Sequence, residues 1–138
     1  MIMSPKKTKY KKFHRGRMTG IATRGNKLSF GEYGLQALEP SWITSRQIES
    51  TRRTISRYVK RKGKLWIKIF PDKSITARAN DSRMGSGKGS VQFWVATVKP
   101  GTIMFELSGL SYQESQKALK LASYKLPIKT KIILKEFN

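Results

Sequence analysis

The sequence has no cysteine, which excludes disulfide bonds, zinc sites with thiolate ligands and a cysteine nucleophile. Acidic residues are also scarce, with 8 Asp and Glu against 29 Lys and Arg. None of the acids has the spacing of a metal site. The one histidine, His14, lies in a segment with little apolar content, so it offers no folded partner to a serine or threonine nucleophile. We therefore expect no enzymatic activity, no bound metal and no cofactor.

Long apolar runs are missing as well. The longest, Leu65 to Phe70 and Phe93 to Val98, are far shorter than the ~20 residues that span a bilayer. No apolar signal core follows the basic N-terminus. What the chain has in excess is positive charge, with a formal net value of +21 over 138 residues. Because such charge repels itself in a compact domain, it predicts a polyanionic partner. Nucleic acid is favoured over an anionic membrane surface.

Residues 1–27 differ from the rest of the chain because they contain no acid and few large apolar side chains. Such a segment cannot bury enough surface to offset its ordering entropy, which predicts an extended arm that orders on its partner. A solvated disordered tail is the alternative. Tyr10, Phe13 and His14 favour the first interpretation, because flat rings among cations stack on unpaired bases. The basic residues of the arm are Lys6, Lys7, Lys9, Lys11, Lys12, Arg15, Arg17, Arg24 and Lys27.

The order of helix and strand patterns in residues 28–138 predicts a single α+β domain, with two helices packed on a mixed or antiparallel sheet. Thr44 and Gln47 form a capping box for a first helix that ends near Gly63, and Ser111 and Glu114 form one for a second helix stopped by Pro127. Alternation and turn residues predict the strands. They are short strands within 28–40, Lys64 to Phe70, a hairpin of Val91 to Lys99 and Thr102 to Leu107 about Pro100-Gly101, and Lys129 to Phe137.

The first predicted helix has a core face and a cationic face. At 100° per residue, one stripe holds Ile48, Thr51, Ile55, Tyr58 and Val59. The second helix has a comparable stripe of Tyr112, Ser115, Ala118, Leu119, Ala122 and Leu126. Opposite the first stripe lie Arg46, Arg53, Arg57, Lys60 and Arg61, with Glu49 as the one acid. Because a solvated face normally mixes signs, this cationic face predicts contact with RNA.

A glycine-rich loop at about 80–90 invites comparison with phosphate-binding loops. It fails as a Walker A motif, because Gly87-Lys88 is followed by Gly89 and the position five before Gly87 is Ser82. Glycines nevertheless let backbone N–H groups approach phosphate oxygens, and Arg83 and Lys88 supply charge. A mobile surface loop is a compatible interpretation.

Five stretches in the same order are similar to those of one protein family. They are S-P-K-K-T-K-Y-K-K-F-H-R-G-R-M at 4–18, I-T-S-R-Q-I-E at 43–49, W-I-K-I-F-P-D-K at 66–73, R-M-G-S-G-K-G at 83–89 and K-L-P-I-K-T at 125–130. The chain resembles the L-sixteen family of large-subunit ribosomal proteins over nearly its whole length. G-L-Q-A-L-E-P-S-W at 34–42 with G-S-G-K-G-S at 85–90 resembles the plastid and cyanobacterial branch. Ser86 replaces a lysine found in many bacterial members.

The resemblance implies an α/β-hammerhead-type fold and a structural role in the large subunit, where the protein binds 23S-type rRNA and supports translation and subunit assembly. It implies that the loop residues lie near A-site tRNA, by the peptidyl-transferase centre. These residues are Arg83, Met84, Gly85, Gly87, Lys88 and Gly89. It also implies rRNA contacts along the arm from Lys6 to Arg17, including His14.

The expected partners are rRNA, transient tRNA and neighbouring large-subunit proteins, with no membrane and no second copy of the chain. The expected location is the plastid ribosome, and the bacterial cytoplasm is the alternative. A free-standing basic RNA chaperone is the rival function. Residues after Thr130 are the least similar to the family and receive no role.

Overall fold

The computed structural model describes residues 3–16, 18–78, 85 and 87–135. Over these residues the chain forms two helices and seven strands. In chain order they are β1 Tyr33–Ala37, β2 Ser41–Thr44, α1 Ser45–Val59, β3 Lys64–Ile67, β4 Lys73–Ala77, β5 Ser90–Val98, β6 Ile103–Ser108, α2 Tyr112–Ser123 and β7 Thr130–Leu134. The α+β prediction is confirmed.

The strands form two antiparallel sheets rather than one. The larger has the order β3-β6-β1-β7, and the smaller has the order β2-β5-β4. The predicted hairpin of β5 and β6 is therefore wrong, although its turn exists, with the Thr102 N–H donating to the Lys99 carbonyl at 3.1 Å. Both sides of β5 are taken by β2 and β4, and both sides of β6 by β1 and β3. The turn thus carries the chain from one sheet to the other.

Strand β4 was not predicted, because Lys73–Ala77 is short and polar and follows the turn at Pro71-Asp72. Its pairing with β5 makes the glycine-rich segment the loop of a β4–β5 hairpin. Strand β3 is shorter than predicted, since it ends at Ile67, although Ile69 is still buried. The last strand, β7, ends at Leu134, and its predicted end at Phe137 lies outside the described residues.

Helix α1 begins as predicted, since Thr44 Oγ1 accepts the Gln47 N–H at 3.1 Å and Gln47 Oε1 accepts the Thr44 N–H at 2.9 Å. Its predicted end is wrong. The left-handed cap is Lys60, with φ 53°, and its N–H donates to the Ser56 carbonyl. Gly63 is needed for another reason, because a Cβ there would lie 2.3 Å from the Ser108 carbonyl oxygen of β6.

Helix α2 is capped by Ser111, whose Oγ accepts the Glu114 N–H at 3.2 Å, and it ends at Ser123, four residues before Pro127. The core lies where the two helices pack against each other and against the sheets, and it includes Ile48, Ile55, Phe105 and Leu119. Burying each such side chain stabilises the fold by about 1.5–3 kcal/mol. Tyr58 and Tyr112 were predicted to lie on the core faces of the two helices. They lie at the helix ends instead, where they are 37% and 47% exposed.

A fully buried carboxylate, Glu106, sits in the middle of β6. Its Oε1 accepts the N–H groups of Ser29, Phe30 and Gly31 at 2.7, 3.1 and 3.2 Å. Lys68 Nζ lies 3.6 Å from Oε2 and 4.3 Å from the centroid of the Phe30 ring. Gly31 allows this approach, because a Cβ there would lie 2.7 Å from a backbone oxygen of β6. Glu106 thus anchors the segment that leads into β1.

Candidate nucleic-acid interface

The arm lies along the smaller sheet and is held there through its backbone. Alternate carbonyl oxygens accept hydrogen bonds from side chains of β4 and of the loop base. The three pairs are Ser74 Oγ to Lys11, Lys88 Nζ to Phe13, and Lys73 Nζ to Arg15. Spacing by two residues is typical of extended chain, which turns every second carbonyl the same way. Residues 11–15 of the arm are therefore extended and fold back on their own domain.

The same contacts join the arm to the glycine-rich loop. Lys12 Nζ donates to the Lys88 carbonyl at 3.2 Å, while Lys88 Nζ donates to the carbonyl of Phe13. At the loop base, Arg78 Nη2 donates to the Gly87 carbonyl at 2.5 Å. Two regions that the sequence places about 75 residues apart thus form one surface. The ammonium of Lys88, predicted to supply charge to the loop, binds the arm in this structure.

The predicted arm cations that the structure describes remain open to solvent. They are Lys6, Lys7, Lys9, Lys11, Lys12, Arg15, Arg24 and Lys27, and His14 is exposed with them. Arg17 lies outside the described residues. Since the backbone carbonyls face the sheet, docking the arm keeps its positive charges available to a polyanion.

The cationic face of α1 is also exposed, at Arg46, Arg53 and Arg57. Lys60 and Arg61 follow the helix rather than belonging to it, and both have left-handed backbone, with φ 53° and 65°. That conformation costs roughly 1–2 kcal/mol for each non-glycine residue.

The exposed charge continues through Lys62 and Lys64, which were not among the predicted contacts. The run K-R-K-G-K at 60–64 was the signal that could have found them. Lys73 and Ser74 in β4, and Arg78 directly after it, had no such signal, because that strand was not predicted.

Glu49 partly neutralises the positive charge of the helix face. Its carboxylate accepts from Arg52 Nε at 3.0 Å and from Arg53 Nε at 3.3 Å. The hydrogen bond from the Arg52 guanidinium is the main reason that the pKa of Glu49 falls from 4.5 to about 2. Glu49 therefore stays ionised near neutral pH, and Arg53, one of the predicted helix contacts, already has an acidic partner.

The loop glycines are required for two different reasons. Gly85 and Gly87 have φ of 99° and 82°, and no described atom lies within 4 Å of an added Cβ, so glycine is favoured there by the backbone conformation. Gly89 has no room, because a Cβ would lie 2.4 Å from the Ala77 carbonyl oxygen. The predicted loop residues Arg83 and Met84 lie outside the described residues.

Comparisons with known proteins identify the family of the chain. The family described as ribosomal protein L16p/L10e matches residues 5–133. The chain belongs to this family. It is 69% identical to the large ribosomal subunit protein uL16c of Thalassiosira pseudonana, over 98% of each chain. It is 64% identical to the uL16c proteins of Emiliania huxleyi and Gracilaria tenuistipitata, over 98% of this chain and 98% and 100% of theirs.

Family membership makes the chain a structural protein of the large ribosomal subunit and confirms the prediction that it is not an enzyme. The uL16c relatives likewise confirm the plastid type that the sequence indicated. No described helix is long and apolar enough to cross a membrane. Within the ranges that the structure describes, no three His, Asp or Glu residues are grouped as they would be to hold a metal ion.

Proposed function

We propose that the chain binds 23S-type rRNA through the arm and the cationic face of α1, and that its glycine-rich loop faces A-site tRNA near the peptidyl-transferase centre. The observation that carries this proposal is the joining of arm and loop base by Lys12, Phe13 and Lys88. A single ligand surface can thereby contact both regions.

The arm contributes affinity mainly through phosphate neutralisation and counterion release. Its backbone is already held by Lys73, Ser74 and Lys88. This docking lowers the ordering entropy that an unattached arm would lose on binding. Because the exposed contacts are cations and the ring of Phe13, whose carbonyl is held by Lys88, recognition depends on the shape of folded rRNA more than on its sequence.

The loop is suited to a transient ligand. Gly85 and Gly87 leave open space where side chains would stand, so phosphates can approach the backbone closely. Arg78 meanwhile links the two ends of the loop, and Lys88 links the loop base to the arm. The other expected partners are neighbouring large-subunit proteins. The similarity to uL16c relatives supports a location in the plastid ribosome.

The decisive experiment compares variants on large subunits prepared without this protein. Replacing Arg53, Arg57 and Arg61 by glutamine removes three exposed charges from α1 and the turn after it. We expect weaker incorporation and a slope of log K against log salt that is shallower by about 2–3. The matched control replaces three exposed lysines on or just after α2, namely Lys117, Lys120 and Lys125. If both triple variants are incorporated equally well, the proposed role of the helix face is wrong.

A second variant tests the tRNA role by shortening the loop at Gly85 and Ser86, which keeps Gly87 and Lys88 and therefore their contacts with Arg78 and the arm. We expect normal incorporation but slower accommodation of aminoacyl-tRNA, because the subunit-binding surfaces remain intact. Unchanged accommodation kinetics would contradict this role while leaving rRNA binding in place. A free-standing RNA chaperone, the rival function, would instead sediment apart from large subunits in native extract at moderate salt.

A further inference from the structure

A cavity of about 640 Å³ lies where the arm, the start of α1 and the β4–β5 hairpin meet. Ser4 comes from the arm, Arg46 from the first turn of α1, and Gln92, Phe93 and Trp94 from β5. The cavity is open to solvent. It joins the two cationic regions described above, yet neither the arm contacts nor the helix face accounts for its aromatic wall.

Phe93 is the unusual member of this wall. Farther along β5, Val95, Ala96 and Val98 are buried, whereas Phe93 is 42% exposed opposite Ile75 of β4. One exposed apolar side chain on a surface is ordinary. A flat ring that shares a cavity with a guanidinium and an amide is a more specific arrangement, because it combines a stacking surface with charge and hydrogen-bonding groups.

The charge around the cavity favours an anionic ligand. The first turn of α1 contains no acid, and Arg46 adds a positive side chain to the positive end of the helix dipole. The chain as a whole carries a net charge of +21. An apolar peptide would leave the guanidinium of Arg46 without a counter-charge, whereas a nucleotide supplies both a flat apolar face and a phosphate.

We propose that this cavity receives a single unpaired base of the large-subunit rRNA, stacked on Phe93, with a phosphate of the same strand against Arg46. The Gln92 amide offers donor and acceptor atoms to the base edge. This inference rests on the proposed rRNA binding and adds a defined site to it. Because Ser4 forms part of the wall, the site is complete only when the arm is docked.

The test uses full-length protein on large subunits prepared without it. Phe93→Ala and Phe93→Leu remove the ring, whereas Phe93→Tyr keeps it. We expect the first two to bind about 5- to 100-fold more weakly, as for loss of one base–aromatic stack, and the tyrosine variant to bind as wild type. Tyr124→Ala is the matched control, since Tyr124 is 68% exposed and does not line the cavity. Unfolding midpoints of all variants check that each is folded.

Chemical probing of rRNA base edges supplies a second measurement. One unpaired nucleotide should be protected by wild type and by Phe93→Tyr but reactive with Phe93→Ala and Phe93→Leu. If the Phe93 variants bind and protect as wild type does, the base site is wrong while rRNA binding stands. If wild type itself fails to bind, the proposed function is wrong. A photoreactive benzophenone side chain at position 93 that crosslinks to a neighbouring protein instead of rRNA would also overturn the inference.

Discussion

Replacing Glu106 by alanine tests how the segment after the arm is held to the domain. The wild-type carboxylate has no solvent exposure and accepts three backbone N–H groups on one oxygen. Alanine would leave those donors without their acceptor, including the buried N–H of Gly31. It would also leave Lys68, whose side chain is only 23% exposed, beside an empty space.

The expected magnitude follows from these losses. Removing one partner of a buried, hydrogen-bonded charge pair costs about 3–5 kcal/mol. Glu106→Gln should cost less, about 1–3 kcal/mol, because its amide oxygen can still accept the N–H groups while the charge opposite Lys68 is lost. Since small domains are stable by only about 5–15 kcal/mol, the alanine variant should lose a large share of the total.

Chemical denaturation in urea, followed by circular dichroism, measures both values. Glu32→Ala is the matched control, because Glu32 is exposed and is expected to change stability by no more than about 0.5 kcal/mol. A loss below about 1 kcal/mol for Glu106→Ala would refute the anchoring role. An alanine variant as stable as the glutamine variant would show that the three N–H groups do not depend on Glu106.

Two further predictions concern Glu49 and the arm. The pKa of Glu49 is about 2 in the folded chain, against an ordinary value of 4.5. The contribution of the ionised carboxylate to folding stability is therefore complete above pH 4.5 and is lost as the pH falls toward 2. Because Arg52 and Arg53 are 40% and 62% exposed, we expect at most about 1 kcal/mol. Unfolding titrations of wild type and Glu49→Gln should converge in acid, and parallel curves would contradict this. Replacing Lys73 by Met and Ser74 by Ala should speed limited tryptic cleavage after Lys11, Lys12 and Arg15, because these residues are held extended by the lost contacts. Lys99→Met, at an exposed site in a turn, should leave these cleavage rates unchanged. Equal cleavage rates for both variants would contradict the docking of the arm.

Much of this structure was predictable because its signals are local in sequence. The Thr44–Gln47 cap, the Ser111 cap and the buried positions of both helices depend on residues within a few positions of one another. The exposure of the arm and helix cations was predictable for the same reason, since an uncompensated run of charge cannot be buried. The sequence resemblance added the family, which the comparisons confirm.

Tertiary structure decided what depends on residues far apart in the chain. The turn at Pro100-Gly101 favoured pairing of β5 with β6, but β5 pairs with β2 and β4 instead. Strand pairing depends on how whole faces pack, which a local turn does not determine. The buried carboxylate of Glu106 meets N–H groups about 75 residues away, and Lys88 meets Phe13 at the same separation. The sequence by itself therefore determined where the positive charge lies. Only the fold decided that the arm, the loop base and the start of α1 meet, because no local pattern encodes contacts between segments so distant.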